Sequence, residues 1–270
     1  MNVTLTQIGL AIFILAAVFG ASELGFRFGR RFRKQKDVHF PLGAVQGGSL
    51  GLLGLLLGFA FAGASSRFLE RQDILTAEAN AIGTAYLRAD LLPPAPGDIV
   101  RQELRGYLQD RLTLFAEVDR DKSAQLSANL ESRHHAMWSA AVEAVRDNPP
   151  LAALVLPPLN DVIDLLAARN AAALRHLPIP VLCLLITSAV ISMTVIGYGA
   201  GATGNRHVNI VGALGLLIAV SLWVTIDLDH PRIGLIRVND HALTDLAASI
   251  NGGTHGGVQR RAAPAQPPLH

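Results

Sequence analysis

Four apolar stretches, each long enough to cross a lipid bilayer, constrain this chain more than any other feature. A helix needs roughly 20 apolar residues to span the hydrocarbon core. The chain supplies them from about Leu5 to Phe26, Pro41 to Ser66, Leu177 to Gly201 and Val208 to Ile226. The short turn with Asn205, Arg206 and His207 makes an antiparallel hairpin of the last two spans. Composition agrees: 50% of residues are hydrophobic and only 16% charged, too apolar for an ordinary soluble domain. The first stretch lacks the basic start of a signal peptide. Arg27, Arg30, Arg31, Arg33, Lys34 and Lys36 follow it instead of a small-residue cleavage site, so it reads as a retained span.

The remaining chain divides around these spans. Residues 1–66 form a first membrane hairpin, 67–176 a helical extramembrane domain, 177–226 a second hairpin, 227–250 a membrane-proximal segment and 251–270 a tail. The tail is rich in Gly, Pro, Ala and Gln and too poor in bulky apolar residues to pack, so it is expected to be disordered. Within the domain, one helix runs on from span two to about Leu92, where Pro93 and Pro94 stop it. A second covers about Asp98 to Val118, with Leu104, Leu108, Leu112 and Phe115 on one stripe. A third covers about Ser123 to Arg146 and ends at Asp147, Asn148, Pro149 and Pro150. A fourth starts after Pro157 and Pro158 and covers about Leu159 to His176. No stretch alternates at period two, so the fold class is an all-α membrane protein.

Six basic residues within ten positions follow span one, and short Lys/Arg-rich loops stay cytoplasmic. That rule places the N-terminus and the helical domain outside the inner (plasma) membrane. A lipid-binding patch fits the same charges. The net charge of +2 is small and clustered, which argues against a nucleic-acid surface. Cys183 is the single cysteine, so the chain builds neither an internal disulfide nor a cysteine-based metal site.

Chemistry inside the membrane is limited by what is missing. Spans two, three and four carry no Asp, Glu, Lys or Arg in their apolar cores, and span one has only Glu23 near its end. Proton pumps and intramembrane proteases need ionisable groups at depth. Thr187, Ser188, Ser192, Thr194 and Tyr198 in span three suit hydrogen bonds between helices. The Gly-rich run around Gly201 reads as a flexible end of that span. No G-x-S-x-G, phosphate-binding loop, H-E-x-x-H or dinucleotide turn occurs, so neither an enzyme nor a cofactor is expected.

Span two is more informative. Gly47, Gly51, Gly54 and Gly58 fall on one helical face. Phe61, Ser65 and Gln72 continue that stripe, whereas Phe59 is turned about 100 degrees from Gly58. The glycines allow close packing within or between subunits. Alternatively, the stripe lines an oligomeric pore in which Phe61 is an apolar constriction. Further on, Glu78, Asn80, Gly83, Thr84, Tyr86, Leu87 and Arg88 do not form one solvent face, so some of them enter helix contacts. Asp227, Asp229 and His230 after span four offer weak ligands for a divalent cation. Pairing of the carboxylates with Arg67, Arg71 or Arg88 explains them as well. His134 and His135 point about 100 degrees apart on a helix and cannot chelate one ion together.

The segment Glu78 to Leu92, the Asp229-x-Pro231 element and the two-plus-two arrangement of spans resemble a bestrophin-like family of bacterial membrane proteins. Within it, Glu78, Asn80, Gly83, Thr84, Tyr86, Leu87 and Arg88 form the recurring mark, and Asp229 with Pro231 the second. His230 stands where an arginine is more usual. Bestrophins are pentameric anion channels with a pore lined by their second span. The resemblance therefore implies a homo-oligomer, with a pentamer as its form, in a lipid bilayer with ions as its passengers. It also implies a cytosolic helical domain, opposite to the side indicated by the basic loop. A non-conducting scaffold or sensor whose helical domain binds a partner is the alternative.

Overall fold

The computed structural model describes residues 3–32, 41–116, 120–204, 206–230 and 234–252. The expected disordered tail lies outside the described residues from position 253 onward, as do Arg33, Lys34, Lys36 and Pro231. The described chain is helical: α1 (Val3–Phe32), α2 (Leu42–Arg88), α3 (Pro94–Ala116), α4 (Arg120–Val145), α5 (Pro149–Leu174), α6 (Ile179–Thr203), α7 (Val208–Asp229) and α8 (His241–Asn251). No strand occurs among the described residues. Four stretches are long and apolar enough to cross a membrane, within Ile8–Arg31, Leu42–Leu91, Pro149–Thr203 and Val208–Asp229.

The chain forms two compact units. One comprises Met1–Ile74 and Ala168–Asn239, the other Leu75–Ala167 and Asp240–His270. The first contains the membrane hairpins. Its core joins Ile14, Val18 and Ala21 of α1, Leu53 and Ala60 of α2, Leu185, Ala189 and Met193 of α6, and Ile218, Ala219 and Leu222 of α7.

Backbone contact between α1 and α6 explains the glycines near Gly201. A Cβ on Gly25 would stand 2.0 Å from the Thr194 carbonyl oxygen, and one on Gly197 would stand 2.0 Å from that of Ser22. Gly29 and Gly201 repeat the pattern at 2.1 and 2.2 Å, against Tyr198 and Phe26. No side chain fits at any of the four. The expectation of a flexible end is therefore corrected: α6 continues through Gly201 to Thr203, because these glycines are packing surface. Termination falls to Gly204, whose φ of 80° is left-handed and whose N–H donates to the Ala200 carbonyl.

Among the polar groups of α6, Ser192 donates across to the Ser49 carbonyl of α2 at 3.1 Å. Thr194 bonds back within its own helix, to Val190.

The second unit is built on the distal part of α2 with α3, α4, the first part of α5, and α8. Leu104 and Leu108 are buried as the stripe on α3 requires, and Leu112 is half-buried. The prolines at 157 and 158 do not begin a helix, because both lie inside α5. Pro158 has no N–H to offer the Leu154 carbonyl four residues back, and Arg88 Nη1 donates to that oxygen at 2.6 Å. An external guanidinium thus replaces the bond the proline removes.

Candidate functional site

Among the described residues, the glycine face of α2 has no partner. A Cβ added at Gly47, Gly51, Gly54 or Gly58 would meet nothing within 4 Å. Packing within the subunit is therefore not their role among the described residues. Phe59 and Phe61 are also uncovered, at 70% and 44% exposure. Below them a shallow surface hollow is lined by Phe61, Ser65, Leu69, Glu70 and Asp73 among others. Ser65 is half-buried. Gln72 is held by the chain itself: its Nε2 donates to the Asn239 carbonyl at 3.1 Å, and its Oε1 accepts the Asn239 N–H at 2.9 Å.

Charge along this part of α2 is sorted by face. Arg67 points inward to Asp229, donating from Nε at 2.9 Å, with Nη2 at 2.7 Å from the same carboxylate. Arg71 donates to the carbonyls of Ala172, Arg175 and Asp229. Glu70 and Asp73 line the hollow. Glu70 pairs with Arg175 at 2.6 Å, and Asp73 is exposed, with no ion pair among the described residues.

The two carboxylates at the end of α7 face inward. Asp227 is fully buried and accepts the N–H groups of Leu235 at 2.9 Å and Ile236 at 2.8 Å, which turns the chain back. A Cβ at Gly234 would lie 2.7 Å from its Oδ1, so only glycine fits there. Asp229 is 2% exposed and accepts the Leu177 N–H at 2.7 Å in addition to Arg67. His176 and His230 stack beside it with ring centroids 4.7 Å apart. Together with Asp229 they present possible metal-ligand atoms within 4.8 Å of one another. However, Asp229 is neutralised by the Arg67 guanidinium, and Asp227 spends both oxygens on backbone N–H groups. Arginine pairing, one of the two sequence readings, accounts for Asp229, whereas Asp227 is taken up by the backbone N–H groups of Leu235 and Ile236.

In the second unit, Glu78 is fully buried. It accepts the Tyr107 hydroxyl at 2.7 Å and a two-pronged bond from Arg111, Nε at 2.5 Å and Nη2 at 2.6 Å. Burial alone would lower the Arg111 pKa, but the bond and charge of Glu78 more than reverse this and raise it. His134 stacks on Tyr107 with centroids 4.9 Å apart. Burial pushes its pKa down, with Glu78 partly opposing. Nη1 of Arg111 and Nε2 of His134 are buried without a hydrogen-bond partner among the described residues.

The other motif residues disperse. Asn80 is exposed, and Thr84 bonds to its carbonyl within the helix. A Cβ at Gly83 would press on Leu246 of α8 at 3.2 Å. The Tyr86 hydroxyl accepts from Arg105. Sequence reasoning missed Arg111 and Tyr107. Their signal was the spacing Leu104, Tyr107, Leu108, Arg111, an i, i+3, i+4, i+7 core face that carries an arginine.

Comparison with known proteins adds a family. A family model described as the bestrophin-like domain matches residues 11–243. Among solved structures, a bacterial bestrophin homologue from Klebsiella pneumoniae carrying a tyrosine-to-alanine mutation aligns with a TM-score of 0.67 at 14% identity. The alignment covers 89% of this chain and 98% of that one. A structure of the Klebsiella pneumoniae homologue solved by Zn-SAD phasing aligns with a TM-score of 0.64 at 15% identity, covering 90% and 95%. At these identities the likeness concerns the fold. No match is found among curated proteins.

Proposed function

The chain belongs to the bestrophin-like domain family, and on that premise we propose that it is an oligomeric ion channel whose pore is lined by α2. The observation that carries this reading is the bare glycine and phenylalanine face of α2. A bundle buries every face it can, and a helix face this free of neighbours suits contact with copies of itself around an axis. In this assembly Gly47, Gly51, Gly54 and Gly58 bring neighbouring helices close. Phe61 forms an apolar constriction, Ser65 follows it, and Gln72, fixed by Asn239, marks the wider end. The family resemblance supports a pentamer.

The sorted charges of α2 bear on which ion passes. With Arg67 and Arg71 turned inward and Asp73 exposed, the end of the pore beyond Ser65 carries negative charge, which favours cations over anions. Glu78, Gly83, Tyr86 and Arg88 serve the architecture of the helical domain and not conduction, and no catalytic role is assigned. The protein is a multi-pass membrane protein, and we place it in the inner membrane. The basic run after α1 favours a helical domain on the outer side. Protease added to sealed, right-side-out vesicles tests that placement: cleavage of the domain supports it, and protection reverses it.

Ion flux through liposomes containing purified wild-type protein or Phe61→Ala tests the channel. Conduction that rises or changes selectivity on substitution supports the pore. Absence of flux from correctly assembled protein would turn the reading to a non-conducting scaffold.

A further inference from the structure

Asp229 ties together three segments of the membrane unit. It closes α7, it accepts one hydrogen bond from Nε of Arg67 of α2 at 2.9 Å, with Nη2 of the same guanidinium 2.7 Å from that oxygen, and it accepts the N–H of Leu177 just ahead of α6 at 2.7 Å. One turn further along α2, Arg71 donates to the carbonyls of Ala172 at 3.2 Å, Arg175 at 2.6 Å and Asp229 at 3.3 Å. These oxygens lie at the ends of α5 and α7, where carbonyls lack partners within their own helix. Arg67 and Arg71 share one edge of α2 at i, i+4 spacing. Phe61 stands about 120 degrees round the helix from Arg67.

On the opposite face, the glycine stretch of α2 meets no neighbour among the described residues, and the stripe is first tied at Gln72, to Asn239. The glycines have no neighbour within 4 Å. Nearer the start of α2, its polar ties to α6 are the Gln46 amide to the Val195 carbonyl at 3.3 Å and the Ser192 hydroxyl to the Ser49 carbonyl. Leu53 and Ala60 of α2 are packed into the apolar core, and Arg67 adds a directional polar tie on that same side of the helix. The Nε–H of Arg67 bonded to Asp229 has a defined direction, and the charges of the pair lie in direct contact.

We propose that Arg67 and Asp229 are positioning residues for the pore, a charged latch that sets the rotation of α2 so that Phe61 and Ser65, and not Phe59, face the axis. This rests on the reading of α2 as the pore helix. Arg71 supports the latch by fastening the same edge to the ends of α5 and α7.

Thiol reactivity reads helix rotation without reference to current. The exposed Cys183 is first removed as Cys183→Ser. Phe61→Cys and Phe59→Cys are then placed separately in that background and reconstituted in liposomes. A charged thiosulfonate reagent modifies thiolates in water, and a thiol facing lipid stays protonated and unreactive. The parent pair is expected to react at Phe61→Cys and to be protected at Phe59→Cys. Adding Arg67→Gln is expected to abolish that difference while oligomer size is retained. Arg67→Lys, which keeps the charge, is expected to preserve it. If Arg67→Gln fails to assemble, Asp229→Asn serves instead, because it removes the charge yet leaves an acceptor for Leu177. A parent difference that survives both Arg67→Gln and Asp229→Asn overturns the latch alone. Reaction at Phe59→Cys in place of Phe61→Cys, or at neither, overturns the pore reading and the latch with it.

Discussion

Replacing Arg111 by methionine probes the interior of the helical domain. Arg111 and Glu78 are both fully buried. The substitution removes two charged bonds and leaves a carboxylate in a dry core without its guanidinium, while the Tyr107 hydroxyl still donates to it. Breaking a buried ion pair by deleting one member costs about 3 to 5 kcal/mol, mostly because the other charge is stranded. A domain's whole stability is about 5 to 15 kcal/mol, so the loss takes a large share of it. For a domain of roughly 60 to 100 residues, each kcal/mol moves the midpoint by about 4 to 8 °C, which puts the shift above ~12 °C. Tryptophan fluorescence isolates the effect, since Trp138 lies on α4 of the domain and Trp223 on α7 of the membrane unit. With Trp223→Phe in the background, the thermal transition of Trp138 follows the domain. Combining Glu78→Met and Tyr107→Phe with Arg111→Met removes every charge together, and stability should return to within about 2 kcal/mol of the parent, as apolar replacement of a whole buried network often does. A transition for Arg111→Met alone within ~1 kcal/mol of wild type would refute the reasoning, because a stranded buried charge cannot be that cheap.

Other substitutions test separate parts of the account. Gly197→Leu drives side-chain atoms into the Ser22 carbonyl of α1 and should lower stability by about 1 to 3 kcal/mol or more. A Cβ at Gly54 meets nothing among the described residues, so Gly54→Leu should leave the monomer's melting unchanged and shift oligomer size in detergent, a split readable by light scattering. The neutral form of His134 is favoured in the folded state, while an unfolded histidine takes its proton near pH ~6.5. The unfolded chain thus binds more protons below that pH, and stability falls with acidification until the folded pKa is passed. His134→Phe should flatten the melting temperature of the domain between pH 7 and 5, and an unchanged slope would assign the acid sensitivity elsewhere. Asp73→Asn should move the reversal potential toward anions under a salt gradient, and no movement would remove Asp73 from the conduction path.

The spans were legible because hydropathy is a property of composition along the chain, and four long apolar runs leave a helix few choices. Pro93 and Pro94 marked a true boundary for the same local reason, with Pro94 opening α3. Pro157 and Pro158 misled because a proline's lost bond can be repaired from outside the helix, here by Arg88, sixty-six positions earlier in the chain. The glycines around Gly201 misled in the opposite direction. Glycine loosens a helix in isolation, but facing Gly25 and Gly29 it lets two backbones touch, and only knowledge of the partner helix separates the two outcomes. In the candidate site, the inward pairing of Asp229 with Arg67 was among the alternatives visible in the residue types. The core pairing of Glu78 with Arg111 was not, because the stripe on α3 was read from its apolar members alone, although Arg111 shares a face with Leu104 and Leu108. The glycines of α2 share one face in the sequence, and among the described residues a Cβ on any of them would meet nothing, so no residue pattern in one chain identifies what they pack against.

Flux measured in liposomes, with wild type and Phe61→Ala compared at equal oligomer content, tests the central claim most directly. Wild-type protein should pass ions, and loss of the phenylalanine ring should raise the rate or alter selectivity. Assembled protein that passes none, or flux indifferent to residue 61, would contradict a pore lined by α2.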